Sequence, residues 1–353
     1  MAEDIDFLIY ALSNGYGGRK YVPQDSYAQA IKALEDISDI SSVEEFHTKI
    51  DEALFLIPDN HLSAVYRGRT SKKRQNYDEE NKLGRVGANN ISDASKIWET
   101  RIDQVQNKKV LYISFTRFRS DKKDVWGGLI TSIKSKMKHA NFIVIDLRGS
   151  LGGSDSISIE MAKVLYGRAF EHGIKNQYRS LAPETLALFI NESTIPIINM
   201  KADGTKAPAQ FFDELNESKE RYNKALKGEL PAEYIRTDKG GAVGNRSDPV
   251  TGYKKPIYIL TDRVCKSACE FTAAAFEWHP TAKRVGENTE GTFHFSNAGL
   301  LVLPNSKFKI YIPTQYTEYY DRRFIERTGL APDIKVPIGS DAYEVVKQLI
   351  RKY

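Results

Sequence analysis

Ser267 lies in Thr261-Asp262-Arg263-Val264-Cys265-Lys266-Ser267-Ala268-Cys269-Glu270, between the apolar runs Ile257–Leu260 and Phe271–Phe276. That pattern predicts strand, short turn, helix. It puts Ser267 at a helix N-terminus, where free backbone N–H groups and the positive dipole end favour an anion. Much earlier in the chain, the buried strand Phe142 to Asp146 runs into Leu147-Arg148-Gly149-Ser150-Leu151-Gly152-Gly153. This turn offers further exposed N–H groups on a flexible backbone. A serine at a helix start facing a glycine turn is the arrangement of a nucleophile with an oxyanion hole.

Each feature taken alone has a plainer reading. The glycine turn lacks the Gly-Lys-Ser/Thr ending of a phosphate loop and the G-x-G-x-x-G of a dinucleotide site, so by itself it is a strand-to-helix turn. Ser267 by itself is a helix cap, and it is not in a G-x-S-x-G elbow. His61 by itself is an ordinary polar histidine. The residues therefore describe an α/β enzyme candidate with one serine nucleophile candidate and several candidate bases.

The 353 residues suit one large domain plus a smaller one, and the 41% hydrophobic, 27% charged composition is that of a globular protein. A net charge of +5 is small for this length. The basic stretch Arg67 to Arg74 has no interleaved stacking aromatics and reads as a solvated loop, not a nucleic-acid surface. No stretch reaches the roughly 20 apolar residues of a membrane span. The acidic start Met1-Ala2-Glu3-Asp4 is not a signal peptide. Either a cytoplasmic protein or a mature extracytoplasmic form is compatible, with the latter expected. The two cysteines, Cys265 and Cys269, flank Ser267. Two thiols without paired histidines make a poor metal site, and a disulfide within a helical turn would be strained, so buried free thiols are expected. No metal or organic cofactor is implied, and the oligomeric state is open.

The elements that must position these residues follow from periodicity. Residues 1–66 read as a small helical domain, with Tyr27, Ala30, Ile31, Leu34 and Ile37 on one face and Val43, Phe46, Ile50 and Leu54 on another. Residues 67–108 read as a polar connection. From Val110, strands alternate with amphipathic helices, which indicates an α/β core over 109–353. Residues 167–253 interrupt the rhythm and read as an inserted lid or cap. Its cations include Lys201, Lys206, Arg236 and Lys239. Strands are expected near 299–303 and 307–312, and a last helix from Asp341.

Four segments carry a resemblance. Ser267-Ala268-Cys269-Glu270, Ala273-Ala274-Ala275 and Val285-Gly286-Glu287 are similar to the nucleophile region of the C-terminal processing peptidases (tail-specific proteases): Ser-Ala-x-Glu, an alanine-rich helix, then Val-Gly-Glu. Asp146 to Gly153 is similar to that family's Asp-Leu-Arg-x-Asn-x-Gly-Gly. Gly329 to Val336 is similar to its Gly-x-x-Pro-Asp-x-x-Val. Asp59-Asn60-His61 resembles the Asp-x-His of the branch that includes the tricorn protease core and the modules of interphotoreceptor retinoid-binding protein. The matches run in order from Asp59 to Val336.

The resemblance implies a ClpP/crotonase-like α/β core with a small helical N-terminal domain. It also implies a serine endopeptidase acting on unstructured or C-terminal protein segments. The lysine base of the processing branch is replaced by Thr292, which cannot accept a proton near neutral pH. The resemblance to the histidine branch instead implies Ser267 as nucleophile, His61 as base and Glu326 as the acid that orients it. The amides of Gly152 and Ala268 would receive the oxyanion, with Asn60, Gly153 and Thr292 in support. His279 is a rival base whose place before Pro280 suggests an exposed helix end. Residues 62–109 are too few for the PDZ domain that processing peptidases usually carry, so no PDZ domain is expected. The alternative is a non-catalytic peptide- or ligand-binding module of the same fold.

Overall fold

The computed structural model of the chain describes residues 1–82, 96–118, 123–167, 175–231, 234–236 and 249–353. The loop Asp238 to Gly244, with Lys239, and the side chain of Arg236 lie outside the described residues. So does the 83–95 part of the polar connection.

In chain order, α1 (Ala2–Asn14), α2 (Gln24–Glu35), α3 (Val43–Leu54), β1 (Ser63–Val65) and α4 (Lys72–Lys82) come first. Next are β2 (Trp98–Val105), β3 (Lys108–Phe115), α5 (Lys123–Lys136), β4 (Phe142–Asp146) and α6 (Ser156–Tyr166). Then come β5 (Lys175–Ser180), α7 (Pro183–Ala202), α8 (Ala209–Leu226) and β6 (Tyr234–Arg236). The chain ends with β7 (Ile257–Thr261), α9 (Ala268–Ala275), β8 (Ala282–Gly286), β9 (Phe295–Val302), β10 (Lys309–Tyr319), β11 (Ile334–Lys335) and α10 (Ala342–Arg351). The result is a mixed α/β protein of two compact units. The first comprises Met1–Glu79, Asn176–Lys239 and His294–Arg327; the second comprises Glu80–Lys175, Gly240–Phe293 and Thr328–Tyr353.

In the first unit the helices form where expected. Ser42 caps α3, its hydroxyl accepting the Glu45 N–H at 3.0 Å, while Glu45 reaches back to the Ser41 N–H at 3.0 Å. Ala30, Leu34, Phe46, Ile50 and Leu54 point into one core with Phe308, Ile310 and Ile312 of the β10 region. Truncating a side chain such as Phe46 there costs about 3–5 kcal/mol. Strands run β1-β10-β5-β6, with β9 also paired to β10. The strands expected near 299–303 and 307–312 therefore belong to this unit, not to the parallel sheet. Residues 176–239 belong here too: β5 is built into the sheet and Leu188 of α7 lies in the core.

The second unit holds a six-stranded sheet, β11-β8-β7-β4-β3-β2. β4 and β7 are buried at every residue, which is why they read as continuous apolar runs, as central parallel strands do. Residues 98–105 are not a featureless connection. They form edge strand β2, antiparallel to β3, and seven of its eight residues stay at least partly exposed, so no apolar alternation marks it. β4 pairs in parallel with β7, Asp146 opposite Leu260, and the Leu147 N–H continues the ladder onto the Leu260 carbonyl at 3.0 Å. The turns that leave these two strands emerge side by side at one sheet edge. Ligand sites of open α/β sheets lie at that edge.

Candidate active site

Ser267 is the residue just before α9 and has φ 55°, ψ −123°. A non-glycine residue in that region costs of order 1–3 kcal/mol and persists only where its surroundings impose it. Its N–H donates to the Glu270 carboxylate at 3.2 Å. Ala268, the first helical residue, has an N–H with no acceptor inside the helix. Gly152 packs on this corner with φ +77°. A Cβ there would lie 3.0 Å from Ser267 Cβ, 3.0 Å from the Ala268 nitrogen and 2.4 Å from the Lys266 carbonyl oxygen. Gly153 is equally committed, since its Cβ would stand 1.9 Å from the Phe118 carbonyl oxygen. The structure thus brings Ser267, Ala268, Gly152 and Gly153 together.

Buried carboxylates hold this corner. Asp262 accepts N–H groups from Gly149 at 3.0 Å on one turn and from Val264 at 3.0 Å and Cys265 at 3.1 Å on the other. Burial raises its pKa despite these donors. Glu270, fully buried, accepts from the Thr289 hydroxyl at 2.5 Å and the N–H groups of Gly291 at 2.9 Å and Thr292 at 2.6 Å. Burial, with Glu290 nearby, pushes Glu270 up to about 7 against those bonds. Thr292, where a lysine base would stand, donates its hydroxyl to Glu290 and its N–H to Glu270. Both bonds tie its loop to buried carboxylates.

The remaining motif residues are structural. Arg148 is buried and paired with Asp146 at 2.6 Å and Asp341 at 2.7 Å, fastening the glycine turn to the cap of α10. Gly329, at φ +75°, packs its Cα on Thr289: a Cβ would lie 2.0 Å from the Thr289 carbonyl oxygen. Asp333 accepts the Arg284 N–H at 2.7 Å.

The cysteines overturn the expectation of free thiols. Cys265 and Cys269 form a disulfide with Cα atoms 5.4 Å apart. Cys265 lies on the turn, not in the helix, so the pair meets the geometric range for a bridge that two residues inside one helix would not offer comfortably. His279 is also not the exposed helix end its sequence suggests. It is 3% exposed, its ring edge-on to Tyr166 at 4.9 Å, and burial lowers its pKa.

In the first unit, His61 follows a buried Asp59. The Asp59 carboxylate accepts the N–H groups of His61 at 2.9 Å and Leu62 at 3.2 Å, and the Tyr16 hydroxyl at 2.8 Å. Burial pushes Asp59 up to about 6, moderated by those donors and by Arg327. Glu326 is buried and accepts the N–H groups of Asn60 at 3.0 Å and His294 at 3.0 Å. Arg327 joins the same two segments. Its guanidinium reaches Asn60 Oδ1 at 3.1 Å and the Ile57 carbonyl at 2.8 Å, and covers the Phe55 ring. His61, Asn60 and Glu326 are thereby assembled in this unit.

Asp59 and Glu270 stand inside motifs read from the sequence, but their supporting contacts, and the residues Asp262, Arg327 and His294, were not anticipated there. A charged residue interrupting an apolar run flags Glu270. Nothing in the sequence flags His294.

The model of peptidase family S41 matches residues 109–336, more than half of the chain. No curated protein matches it. Among solved structures, mature CPAF complexed with lactacystin is 14% identical with a TM-score of 0.62, covering 99% of this chain and 97% of that one. A CPAF serine-to-alanine mutant is 13% identical, TM-score 0.61, covering 99% and 96%. A candidate peptidase from Parabacteroides merdae is 14% identical, TM-score 0.59, covering 99% and 96%. At such identities these likenesses concern the fold. Among the described residues no helix is long and apolar enough to cross a membrane. The chain belongs to peptidase family S41, the C-terminal processing peptidases, and is a serine-type peptidase.

Proposed function

We propose that this peptidase hydrolyses peptide bonds in unstructured or C-terminal protein segments, with Ser267 as nucleophile, His61 as general base and Glu326 as the acid supporting it. The observation that carries the reading is the conformation of Ser267: a non-glycine residue held at φ 55° at a helix start, against a glycine whose side chain would collide with it. Strain of that kind collects at working residues.

In this mechanism the Ser267 hydroxyl attacks the scissile carbonyl carbon as its proton passes to His61. The carbonyl oxygen gains negative charge and is met by the N–H groups of Ala268 and Gly152, aided by the N-terminal end of α9. His61 returns the proton to the leaving amine, and water then releases the acyl group by the same route. Glu326 contributes negative charge beside the residue that precedes His61, favouring the imidazolium. Asn60 and Arg327 hold that segment. Thr292 takes no part in proton transfer, because its hydroxyl is committed as a donor.

Hydrolysis of an unstructured protein such as denatured casein tests the assignment. Ser267→Ala and His61→Ala each lose orders of magnitude while remaining folded, and Thr292→Val, which keeps the backbone N–H bond, loses far less. Undiminished activity in Ser267→Ala or His61→Ala contradicts it.

A further inference from the structure

We infer that the Cys265–Cys269 disulfide is a positioning element for the nucleophile, locking Ser267 into its left-handed conformation and making turnover depend on the bridge. The inference rests on the reading of Ser267 as the nucleophile and names the covalent device that sets its geometry.

The bridge brackets the serine. Ser267 is the middle residue of the five-residue loop that the sulfurs close, and both half-cystines are fully buried. Its two ends are anchored to different parts of the fold. Cys265 belongs to the turn after β7: its N–H is held by Asp262 at 3.1 Å, and its carbonyl accepts the Glu290 N–H at 2.9 Å. Cys269 belongs to the first turn of α9, its N–H bonded to the Lys266 carbonyl at 3.1 Å. The disulfide therefore ties strand-end turn to helix across the one residue between them whose φ is positive. Relaxing Ser267 to a negative φ would swing the Cys265 turn relative to α9, which a closed ring this small does not permit. With the bridge open, Ser267 keeps only non-covalent ties of its own backbone, its N–H to Glu270 at 3.2 Å and its carbonyl to the Phe271 N–H at 3.1 Å, both of them on the α9 side.

The loop is short, so opening it releases little chain entropy. The consequence falls on geometry: a displacement of about 1 Å at a nucleophile costs about 100-fold in rate. Because only the loop around Ser267 is released, the loss should appear in kcat with KM nearly unchanged.

The test measures kcat, KM and the rate of phosphonate labelling of Ser267 in three forms of the full chain. These are the oxidised parent, the parent reduced by dithiothreitol in mild denaturant and returned to buffer, and Cys265→Ala/Cys269→Ala. In the reduction, a reagent thiolate attacks one sulfur and its second thiol closes on the mixed disulfide. The protein gains two electrons and two protons as two thiols, and the reagent leaves as its cyclic disulfide. Thiol counting after denaturation verifies the state. The expected result is a loss of about 100-fold in kcat and in labelling rate, KM within about twofold, and recovery when the reduced parent is reoxidised. Rates equal to the parent's in either bridge-free form overturn the inference, as does a loss confined to KM. If the variant does not fold, the reduced parent decides; if the bridge resists reduction, the variant decides. Ser267→Ala separates the two levels: labelling that persists there overturns the nucleophile reading itself, whereas labelling lost there but unaffected by opening the bridge overturns only the role of the disulfide.

Discussion

The carboxylate of Glu326 accepts the backbone N–H of Asn60 at 3.0 Å, although 266 residues separate them in the chain. Its other oxygen accepts the N–H of His294. The acid is thus fixed by backbone groups, one of them adjacent to His61, and its charge can be removed without removing its shape. Glu326→Gln keeps an oxygen for one of these bonds and loses the charge; kcat is expected to fall about 100-fold or more with the fold retained. Glu326→Ala leaves two buried N–H groups without acceptors and is expected to cost about 1–3 kcal/mol for each. Thermal melts and kinetics on the two variants check the split. A Gln variant with parental kcat would remove Glu326 from the mechanism.

His294 is neutral in a defined tautomer. Its Nδ1 faces the Thr317 carbonyl at 2.8 Å, which only accepts, and its Nε2 faces the Ile325 N–H at 2.8 Å, which only donates. Burial holds its pKa down to about 4. The folded state therefore binds fewer protons than the unfolded chain between about pH 6.5 and 4, so this contribution is intact above 6.5 and is lost as pH falls towards 4. Protonation turns Nε2 into a donor aimed at a donor, beside Glu326. Unfolding free energies measured from pH 8 to pH 4 should fall on the acid side, and His294→Gln should flatten that fall. An identical slope in both proteins contradicts the assignment.

Glu270 acts in the opposite direction. With its pKa raised to about 7 by burial, its folded form holds a proton that the unfolded chain releases above about 4.5. Its contribution is full below 4.5 and is lost as pH rises through 7. Glu270→Gln is expected to lose this slope, giving a smaller decline in stability between pH 4.5 and 7 than the parent shows. Equilibrium denaturation across that window measures it, and a slope unchanged by the substitution would rule Glu270 out as its source.

The parallel core was legible because Phe142–Ile145 and Ile257–Leu260 are unbroken apolar runs followed by turns that carry Gly152 and the strained Ser267. The family segments were legible because Asp333 and Gly329 each perform one backbone-level task, such as the close approach of Gly329 to Thr289, and Arg148 one buried ion-pair task. The division into units was not. β10 is separated from α3 by hundreds of positions, and no local pattern says that Phe308 packs on Phe46. β2 was invisible because an edge strand bears no one-sided apolar face. The disulfide was hidden because spacing alone does not tell that Cys265 sits outside the helix.

Gly152 combines a positive φ with close approach to Ser267 and Lys266. Gly152→Ala must shift one turn or the other, and in the proposed mechanism that misaligns an oxyanion donor. The expected loss in kcat is about 100- to 1000-fold, larger than the loss in stability, which thermal melts follow in parallel. A Gly152→Ala protein that turns over normally would mean the oxyanion is held elsewhere.

The most direct measurement is the site and rate of labelling by a serine-reactive phosphonate, followed by mass spectrometry across pH 5 to 8. A single adduct on Ser267 is expected, absent in Ser267→Ala and slowed by orders of magnitude in His61→Ala. In the parent it should weaken as pH falls through the ordinary histidine range of about 6–7. An adduct mapping to another residue, or labelling as fast in His61→Ala as in the parent, would contradict it.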